Sequence, residues 1–273
     1  MFVNHCHVGP EGCFDKNNPE TGTLKKLKRI MDKAGIKKAV AFAPFVRLMD
    51  YDESWYHCPL KTDRECNEWL YQALKDYPGI SGFATVSPKN PAARKILTEY
   101  VEKGFVGVKM HPAIFRVKLD DPALKKYYDT IEALKVPVLV HTGVHGWYAD
   151  QYMPILLDRV AYAHPNLNII IEHCGMPCFF DQALAVFLNH SKIRNRHNVF
   201  AGITGQLKPE NREKLLTVIK ALGADHLIYG LDYPFHDEKC LKKDIEFIKN
   251  NLGLKTEEKE AVLGKNLEGL TKR

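Results

Sequence analysis

Short apolar runs alternate with amphipathic, helix-like segments along the whole 273-residue chain, and this alternation limits the possible folds more than any other feature. Most runs are continuously apolar, as expected for strands buried on both faces of a parallel sheet. Parallel neighbours need crossover connections, which helices usually provide. The runs predict eight strands, at Phe2–His7, Lys38–Ala43, Ile80–Val86, Val106–Met110, Val136–His141, Asn168–His173, Asn198–Ile203 and His226–Leu231.

Helices are predicted in the gaps between these strands, and several carry clear boundary signals. Thr62 and Glu65 have the spacing of a capping box, Pro122 suits a first turn and Gly35 suits a C-cap. A last helix over Glu257–Leu270 either closes the bottom of the fold or packs outside it. The other helical segments are Thr23–Ala34, Thr62–Asp76, Pro91–Lys103, Pro122–Leu134, Gln151–Ala163, Phe179–Asn189, Pro209–Leu222 and Glu238–Asn250.

Eight strand–helix units without a linker predict one domain over residues 1–273, an α/β fold of the (β/α)8 TIM barrel type. Such barrels typically have about 250 residues. A doubly wound open sheet is the alternative, but it would normally carry a glycine-rich phosphate loop after strand one, where His5-Cys6-His7 stands here. A long loop between Pro44 and Lys61 follows strand two. Loops of that length often act as lids or binding loops, although a plain surface excursion accounts for it equally well.

The composition is that of an ordinary globular protein and argues against two classes of partner. The net charge of +6 comes from lysines scattered over helix-like segments, without a patch of alternating basic and aromatic residues, so we expect no nucleic-acid site. No apolar run approaches the roughly 20 residues that span a bilayer, so we expect no membrane segment. Seven irregularly spaced cysteines without a preceding signal peptide favour reduced thiols and a cytoplasmic protein.

Two histidines end the first predicted strand. Alternate side chains of a strand share a face, so His5 and His7 project in the same direction, about 6.5–7 Å apart. Two imidazoles at that spacing can hold one divalent ion, although histidine also has many structural roles. The turn at Gly9-Pro10 places the pair at the C-terminal end of the strand, where (β/α)8 barrels carry their active sites.

Four later strands end in polar residues that precede a Gly or Pro turn. Strand four ends at Lys109 and His111, strand five at His141, strand six at His173 and strand eight at Asp232. One such histidine would ordinarily be structural, but the same pattern at four strand ends brings these groups to one barrel mouth. Nitrogen and carboxylate ligands without thiolate suit zinc, and also manganese, iron or cobalt.

The chain resembles the amidohydrolase superfamily, specifically the amidohydrolase-2 branch of metal-dependent barrel hydrolases and decarboxylases. The similarity extends over nearly the whole chain and rests on an ordered set of motifs, each of which is weak alone. They are His5-x-His7, Asn67 with the helix into Tyr77-Pro78-Gly79, Gly82-Phe83-Ala84, Pro88, Gly107–Pro112, Val136–Gly143, His164–Leu167, Ile228–Pro234 and Leu263–Asn266.

The resemblance implies a set of site residues. It implies one divalent metal ion, first of all zinc, with manganese, iron or cobalt as the other choices. The implied ligands are His5, His7, His141 and Asp232. It further implies that His173 lies beside the reacting water molecule and acts as a base or an orienting group.

Two positions depart from the family pattern or leave it open. The superfamily usually has an acidic residue two positions before the first histidine; Val3 stands there instead, which removes a supporting group and puts metal affinity in question. Binuclear relatives bridge two ions with a carboxylated lysine on strand four, whereas in this branch the lysine more often accompanies a single ion. Lys109 is therefore expected to bind a substrate carboxylate, the alternative being a buried lysine paired with Glu172 or Asp232.

The first functional expectation is a metal-dependent hydrolase of a small, anionic ester, lactone or amide. The ion would lower the pKa of water to about 7. Asp232 would take a proton from that water and pass it to the leaving group, while His173 orients the water or stabilises the oxyanion. The residues expected to contact the substrate are Lys109, His111, Arg47, Trp147 and Phe235.

Two alternative functions remain open at this point. The same site would serve non-oxidative decarboxylation of an aromatic or muconate-like acid, and a buried Arg47 or Arg116 clamping the carboxylate would indicate it. The second alternative is a non-catalytic barrel that binds a metal or ligand as a sensor or subunit. The expected partner is a small molecule. Family members often form homodimers, and the resemblance extends this to the chain without locating an interface.

Overall fold

The strands of the chain close into a parallel barrel. The structure, a computed structural model, describes residues 1–46 and 56–272. Its strand segments are β1 (Phe2–His7), β2 (Lys38–Phe42), β3 (Ile80–Thr85), β4 (Gly107–Met110), β5 (Val138–His141), β6 (Ile169–Glu172), β7 (Val199–Gly202), β8 (Leu227–Ile228) and β9 (Gly230–Tyr233). They form one sheet in the order β8-β7-β6-β5-β4-β3-β2-β1-β9, and every pair is parallel. The predicted (β/α)8 barrel is confirmed.

The barrel closes at an interruption of the eighth predicted strand. β8 pairs with β7 and β9 pairs with β1, while Tyr229 lies between the two segments. The two ends of the sheet are consecutive pieces of one strand, so the nine segments amount to the eight strands predicted from the sequence. Tyr229 is buried, and its hydroxyl donates to Oδ2 of Asp244 at 3.3 Å.

Helices fill the gaps between the strands, largely as the sequence predicts. Thr23 Oγ1 accepts the backbone N–H of Lys26, and Thr62 Oγ1 accepts that of Glu65. The α-helices are α1 (Leu24–Ala34), α2 (Asp63–Ala73), α3 (Ala93–Glu102), α4 (Pro112–Phe115), α5 (Lys125–Ala133), α6 (Leu157–Ala163), α7 (Phe180–Leu188), α8 (Arg212–Leu222), α9 (Glu238–Asn250), α10 (Thr256–Glu260) and α11 (Asn266–Thr271). Short 3-10 segments lie at Leu74–Asp76, Pro122–Leu124, Ala149–Gln151, Pro154–Leu156, His173–Gly175, Pro209–Asn211 and Ala224–His226, and π-helical segments at Asn189–Ile193 and Ala261–Lys265.

One predicted helix is much shorter than its sequence pattern indicates. A continuous helix was expected over Gln151–Ala163, but α6 begins at Leu157 after two 3-10 turns. Pro154 accounts for the difference, because a proline disfavours helical backbone at the preceding residue; Met153 is extended, with ψ at 145°. Within residues 1–46 and 56–272, no helix combines the length and apolar character needed to cross a membrane.

The C-terminal helix closes the bottom of the barrel, which resolves one alternative left open by the sequence. Leu267 of α11 packs with a cluster of inward-facing strand residues, including Phe2 and Phe42. Gly264 bends the chain into this position with φ at 152°, and a side chain there would collide with the backbone of Phe2. The chain termini therefore meet at the bottom, and the opposite end, where the strands finish, is left for a site.

Candidate metal centre

β1 bends as it reaches the barrel mouth. Its register with β2 shifts between Val3 and Cys6, and His5 adopts a left-handed φ of 62°. With this bend, Nε2 of His5 and Nε2 of His7 lie 3.1 Å apart. Two nitrogen ligands at about 2.05 Å from a tetrahedral zinc ion would be separated by about 3.3 Å. The two imidazoles therefore have nearly the spacing of neighbouring ligands of one ion.

Asp232 adds a carboxylate to this pair. It lies in β9 with φ at 59°, and its Oδ1 is 3.6 Å from Nε2 of His5. The ligand atoms of His5, His7 and Asp232 all lie within 4.8 Å of one another, and no other such group occurs among the described residues. Two imidazoles and a carboxylate are donors that suit a divalent zinc or manganese ion. These three residues fit the metal that the sequence predicts.

The predicted fourth ligand, His141, lies nearby without joining this group. It ends β5, and its Nε2 is 3.1 Å from the carbonyl oxygen of Gly143, to which it can only donate. The ring of His141 stacks on that of His111 with centroids 4.1 Å apart. Its role as a metal ligand therefore stays a prediction.

His173 is oriented by one clear hydrogen bond. Its Nδ1 lies 3.0 Å from the carbonyl oxygen of Thr204. A carbonyl oxygen only accepts, so Nδ1 carries the proton of a neutral ring and Nε2 carries the lone pair. The ring centroid of His173 lies 5.2 Å from that of His5 and 4.8 Å from that of His141.

Lys109 lies beneath the histidines, fully buried in β4. Its Nζ is 3.2 Å from Nε2 of His5 and 4.7 Å from the ring centre of Phe42. Burial lowers the pKa of Lys109 to about 7, while the charges of Glu172 and Asp232 act in the opposite direction. The ammonium group of Lys109 therefore contacts His5 of the predicted ligand group. The sequence predicts instead a contact with a substrate carboxylate or a pair with Glu172 or Asp232; the charges of both carboxylates act on the lysine.

Glu172, the last residue of β6, points into the same region and is fully buried. Its Oε1 accepts the backbone N–H groups of His173 at 3.1 Å and Thr204 at 3.3 Å. Its Oε2 lies 3.1 Å from Nδ1 of His5. Both atoms are buried, and neither makes a full hydrogen bond among the described residues. Such a pair fits a site in which Nδ1 of His5 carries the ring proton and faces the carboxylate.

Burial favours the neutral form of five histidines at the site. Desolvation is the first cause that holds the pKa of His5, His7, His111 and His141 well below the ordinary value, and the nearby charge of Lys109 adds to it in each case. The pKa of His145 is lowered as well, again chiefly by burial. Neutral imidazole is the form that binds a metal ion.

A cavity of about 400 Å³ opens above these groups at the barrel mouth. That volume lies within the range of small-molecule sites. Its lining combines the polar groups of the strand ends with an apolar wall. The lining residues are His5, His7, Phe14, Phe45, His111, Ile114, His141, Gly143, Val144, His145, His173, Met176, Pro177, Gln206, Asp232 and Phe235.

The five predicted substrate contacts are dispersed. His111 and Phe235 line the cavity, whereas Lys109 and Trp147 are not part of the lining; the ring of Trp147 lies 4.6 Å from that of Tyr148 at a tilt of 48°. Arg47 lies outside the described residues.

Two polar residues of the cavity lining, His145 and Gln206, have no predicted role in the sequence. His145 follows His141 by four residues in the same strand-end loop, and Gln206 follows β7, whose end had no assigned role. Both lie just beyond a strand end, so extending the strand-end search by a few residues would have found them.

The chain belongs to the amidohydrolase family, whose sequence model matches residues 5–266. This confirms the resemblance on which the site prediction was based. Members of this family are metal-dependent enzymes, in agreement with the donor set at the barrel mouth. No curated protein matches the sequence.

Solved structures with a similar fold include both decarboxylases and a hydrolase. The 5-carboxyvanillate decarboxylase of Sphingomonas paucimobilis is 15% identical, with a TM-score of 0.74 and coverage of 99% of this chain and 98% of that one. A dihydroxybenzoic acid decarboxylase of a Polaromonas species with bound manganese is 18% identical, with a TM-score of 0.73 and coverage of 99% and 96%. A probable 2-pyrone-4,6-dicarboxylic acid hydrolase of Acinetobacter baumannii is 17% identical, with a TM-score of 0.68 and coverage of 99% and 98%. At these identities the similarity shows the shared fold alone.

Proposed function

We propose that the protein is a metal-dependent hydrolase of small esters, lactones or amides. The orientation of His173 is the observation that carries this proposal. Because its Nδ1–H donates to Thr204, its Nε2 is a proton acceptor, and the ring lines the cavity close to His5. A ring in that position can accept a hydrogen bond from the reacting water and so orient it for the attack that hydrolysis requires, while Asp232 takes the proton.

The remaining groups divide the work of a hydrolytic reaction. His5, His7 and Asp232 would hold a divalent ion, zinc in the first instance, which would lower the pKa of a bound water to about 7. Asp232 keeps Oδ1 near His5 and is partly exposed to the cavity. It is therefore placed to carry a proton from the water to the leaving group.

The cavity wall restricts the substrate. Of the residues that the structure describes, the lining includes imidazoles, aromatic rings and aliphatic side chains, but neither a lysine nor an arginine. Lys109 is covered by the histidines, and Arg116 lies 5.2 Å from the ring centre of Trp147, which is not part of the lining. Among the described residues the wall suits a compact ester or lactone with a largely apolar body, and Arg47, which is expected to contact an anionic group of the substrate, lies outside those residues.

The test is a substrate screen with metal-loaded protein. Protein stripped with a chelator and reloaded with zinc or manganese is assayed against aryl esters, lactones and amides, with His7→Gln as the matched variant. We expect turnover that requires added metal and is lost in His7→Gln. Metal-loaded protein that hydrolyses none of these compounds would contradict the hydrolase proposal.

Decarboxylation of an aromatic acid is the second candidate, because the cavity wall is shaped for an aromatic ring. The rings of Phe45 and Phe235 lie 6.0 Å and 5.7 Å from that of His7. Two of the structures with a similar fold are decarboxylases of substituted aromatic acids. Carbon dioxide release from hydroxylated benzoates, without ester turnover, would replace the first proposal with this one. Failure of both assays would favour the non-catalytic barrel.

A further inference from the structure

Glu172 is the one fully buried carboxylate beside the candidate metal centre in the described structure. Its position is fixed by its surroundings. Oε1 is held by the backbone N–H groups of His173 and Thr204. Gly202 on the neighbouring strand leaves room for the carboxylate, since a Cβ atom there would lie 2.5 Å from Oε1. The carboxylate is therefore held in place before any metal binds.

The second carboxylate oxygen faces the first predicted metal ligand. Oε2 lies 3.1 Å from Nδ1 of His5, on the side of the ring away from the other ligands. On the opposite side, Nε2 of His5 faces Nε2 of His7 at 3.1 Å, Nζ of Lys109 at 3.2 Å and Oδ1 of Asp232 at 3.6 Å. A protonated Lys109 would donate to Nε2 and so favour the same tautomer as an acceptor beside Nδ1. A neutral imidazole has one N–H and one lone pair, and the acceptor beside Nδ1 decides which nitrogen holds the proton.

We propose that Glu172 is a positioning residue that keeps the proton of His5 on Nδ1 and so leaves the lone pair of Nε2 for the metal ion. The inference rests on the proposed metal-dependent function. A carboxylate that accepts the second N–H of a ligating histidine fixes its tautomer and orientation and raises its basicity. Val3 stands where the superfamily usually has an acidic residue; here β6 supplies a carboxylate to the site instead of β1.

The variant Glu172→Gln isolates this contact. The amide oxygen can still accept the N–H groups of His173 and Thr204, so it will occupy the position of Oε1. The amide NH2 must then face Nδ1 of His5, and an NH2 group only donates. Nδ1 of His5 must then accept a hydrogen bond from this NH2 group, so the ring proton will shift to Nε2. The change therefore blocks the ligand atom while it retains the bonds that hold residue 172.

Two measurements test the proposal. The first is the tautomer of His5, from ¹⁵N chemical shifts of metal-free, histidine-labelled protein, with the signal assigned by its loss in His5→Asn. We expect Nδ1–H in the native protein and Nε2–H in Glu172→Gln. The second is zinc affinity from competition with a chelator, which should fall by about 10- to 100-fold in Glu172→Gln. Asp244→Asn, which neutralises a buried carboxyl outside the cavity, should keep the native affinity.

The outcomes separate this proposal from the proposed function. Nε2–H in the native protein, or Glu172→Gln with native tautomer and zinc affinity, would overturn the role of Glu172 whatever reaction is catalysed. If the native protein binds zinc and shows the expected tautomers but hydrolyses nothing, the proposed hydrolysis fails while the positioning role stands. A melting temperature of metal-free Glu172→Gln close to the native one will confirm that the variant is folded.

Discussion

Three of the predicted site residues lie on strained backbone. His5, His173 and Asp232 all have positive φ, at 62°, 63° and 59°. Left-handed backbone at a non-glycine residue costs on the order of 1–3 kcal/mol and persists only where the surrounding structure enforces it. Each of these residues lies at a strand end that faces the cavity. The strain is consistent with selection for side-chain direction at these positions in preference to stability.

Asp232 gives the most direct test of catalysis at the residue scale. Asp232→Asn keeps the size and an oxygen for the predicted ion but removes the carboxylate that we propose carries the proton. We expect kcat to fall by about 10²- to 10⁴-fold, the usual contribution of a general acid–base group. Steady-state kinetics on the best substrate from the screen, with bound metal quantified in the same samples, measures this. A variant that binds metal and keeps native kcat would rule out the proton-transfer role.

Lys109 should give stability an unusual pH dependence. Its pKa falls from the ordinary 10.5 to about 7 in the folded protein. Between these values the unfolded lysine keeps a proton that the folded one has lost, so the free energy of unfolding rises with pH. Relative to Lys109→Met, the native protein should gain about 1–3 kcal/mol from pH 7 to pH 9.

Urea unfolding of metal-free protein at several pH values measures the difference. Below pH 7 both states are protonated and the full burial cost remains, so Lys109→Met should be the more stable protein there. A constant difference between the two proteins from pH 6 to pH 9 would show that the lysine keeps its proton on folding.

At the scale of elements, the sequence was sufficient for the strands and for much of the site. Buried parallel strands have continuously apolar sequences. Polar residues that follow such sequences lie at the C-terminal end of the strands, which is one end of the barrel. That logic found His5, His7, His173 and Asp232, all of which line the cavity.

Other features of the site depend on contacts that the sequence does not record. The contact between Glu172 and His5 joins residues on different strands, and it exists because Gly202 leaves space for the carboxylate. The bend of β1 that brings His5 toward His7 is equally a product of tertiary packing. The break of the eighth strand at Tyr229 has the same origin, because each half pairs with a different neighbour.

Asp244 joins the strand break at Tyr229 to a helix through a hydrogen bond, and it makes a second pH-dependent contribution to the free energy of unfolding. It lies in α9 and accepts the hydroxyl of Tyr229. Burial raises the pKa of Asp244 from 3.8 to about 7. The folded carboxyl therefore keeps its proton where the unfolded one has lost it, so its contribution to stability is present below pH 4 and is lost as the pH rises through 7.

Asp244→Asn should accordingly stabilise the protein at high pH. The amide oxygen can still accept the hydroxyl of Tyr229 without the cost of burying a charge. We expect a gain of about 1–3 kcal/mol at pH 8 that disappears toward pH 4. Chemical denaturation at pH 4, 6 and 8 measures it. If Asp244→Asn were instead less stable than the native protein at pH 8, Asp244 would be ionised in the folded protein. The charge of Lys208, which lowers the pKa of Asp244, would favour that state.

At the scale of the whole molecule, the apolar cluster that stabilises the barrel and the candidate site lie at opposite ends of the barrel. The bottom is closed by α11 and an apolar cluster that includes Leu267 and Phe2. The top carries buried ionisable groups and strained backbone, which cost stability in the metal-free protein. Bound metal should offset much of that cost, because the ion binds the folded ligands and not the dispersed ligands of the unfolded chain.

Metal removal should therefore lower the melting temperature. Free metal at 100 times its dissociation constant stabilises the folded state by about 2.7 kcal/mol, which corresponds to a shift of roughly 5–10 °C for a chain of this size. Differential scanning calorimetry of chelator-treated and zinc- or manganese-reloaded protein measures the shift. His7→Gln lacks one ligand but no core packing group, so its melting temperature should respond little to added metal. An equal shift in both proteins would place the stabilising ion elsewhere, whereas a shift confined to the native protein would link the barrel-mouth histidines to the stability of the whole fold.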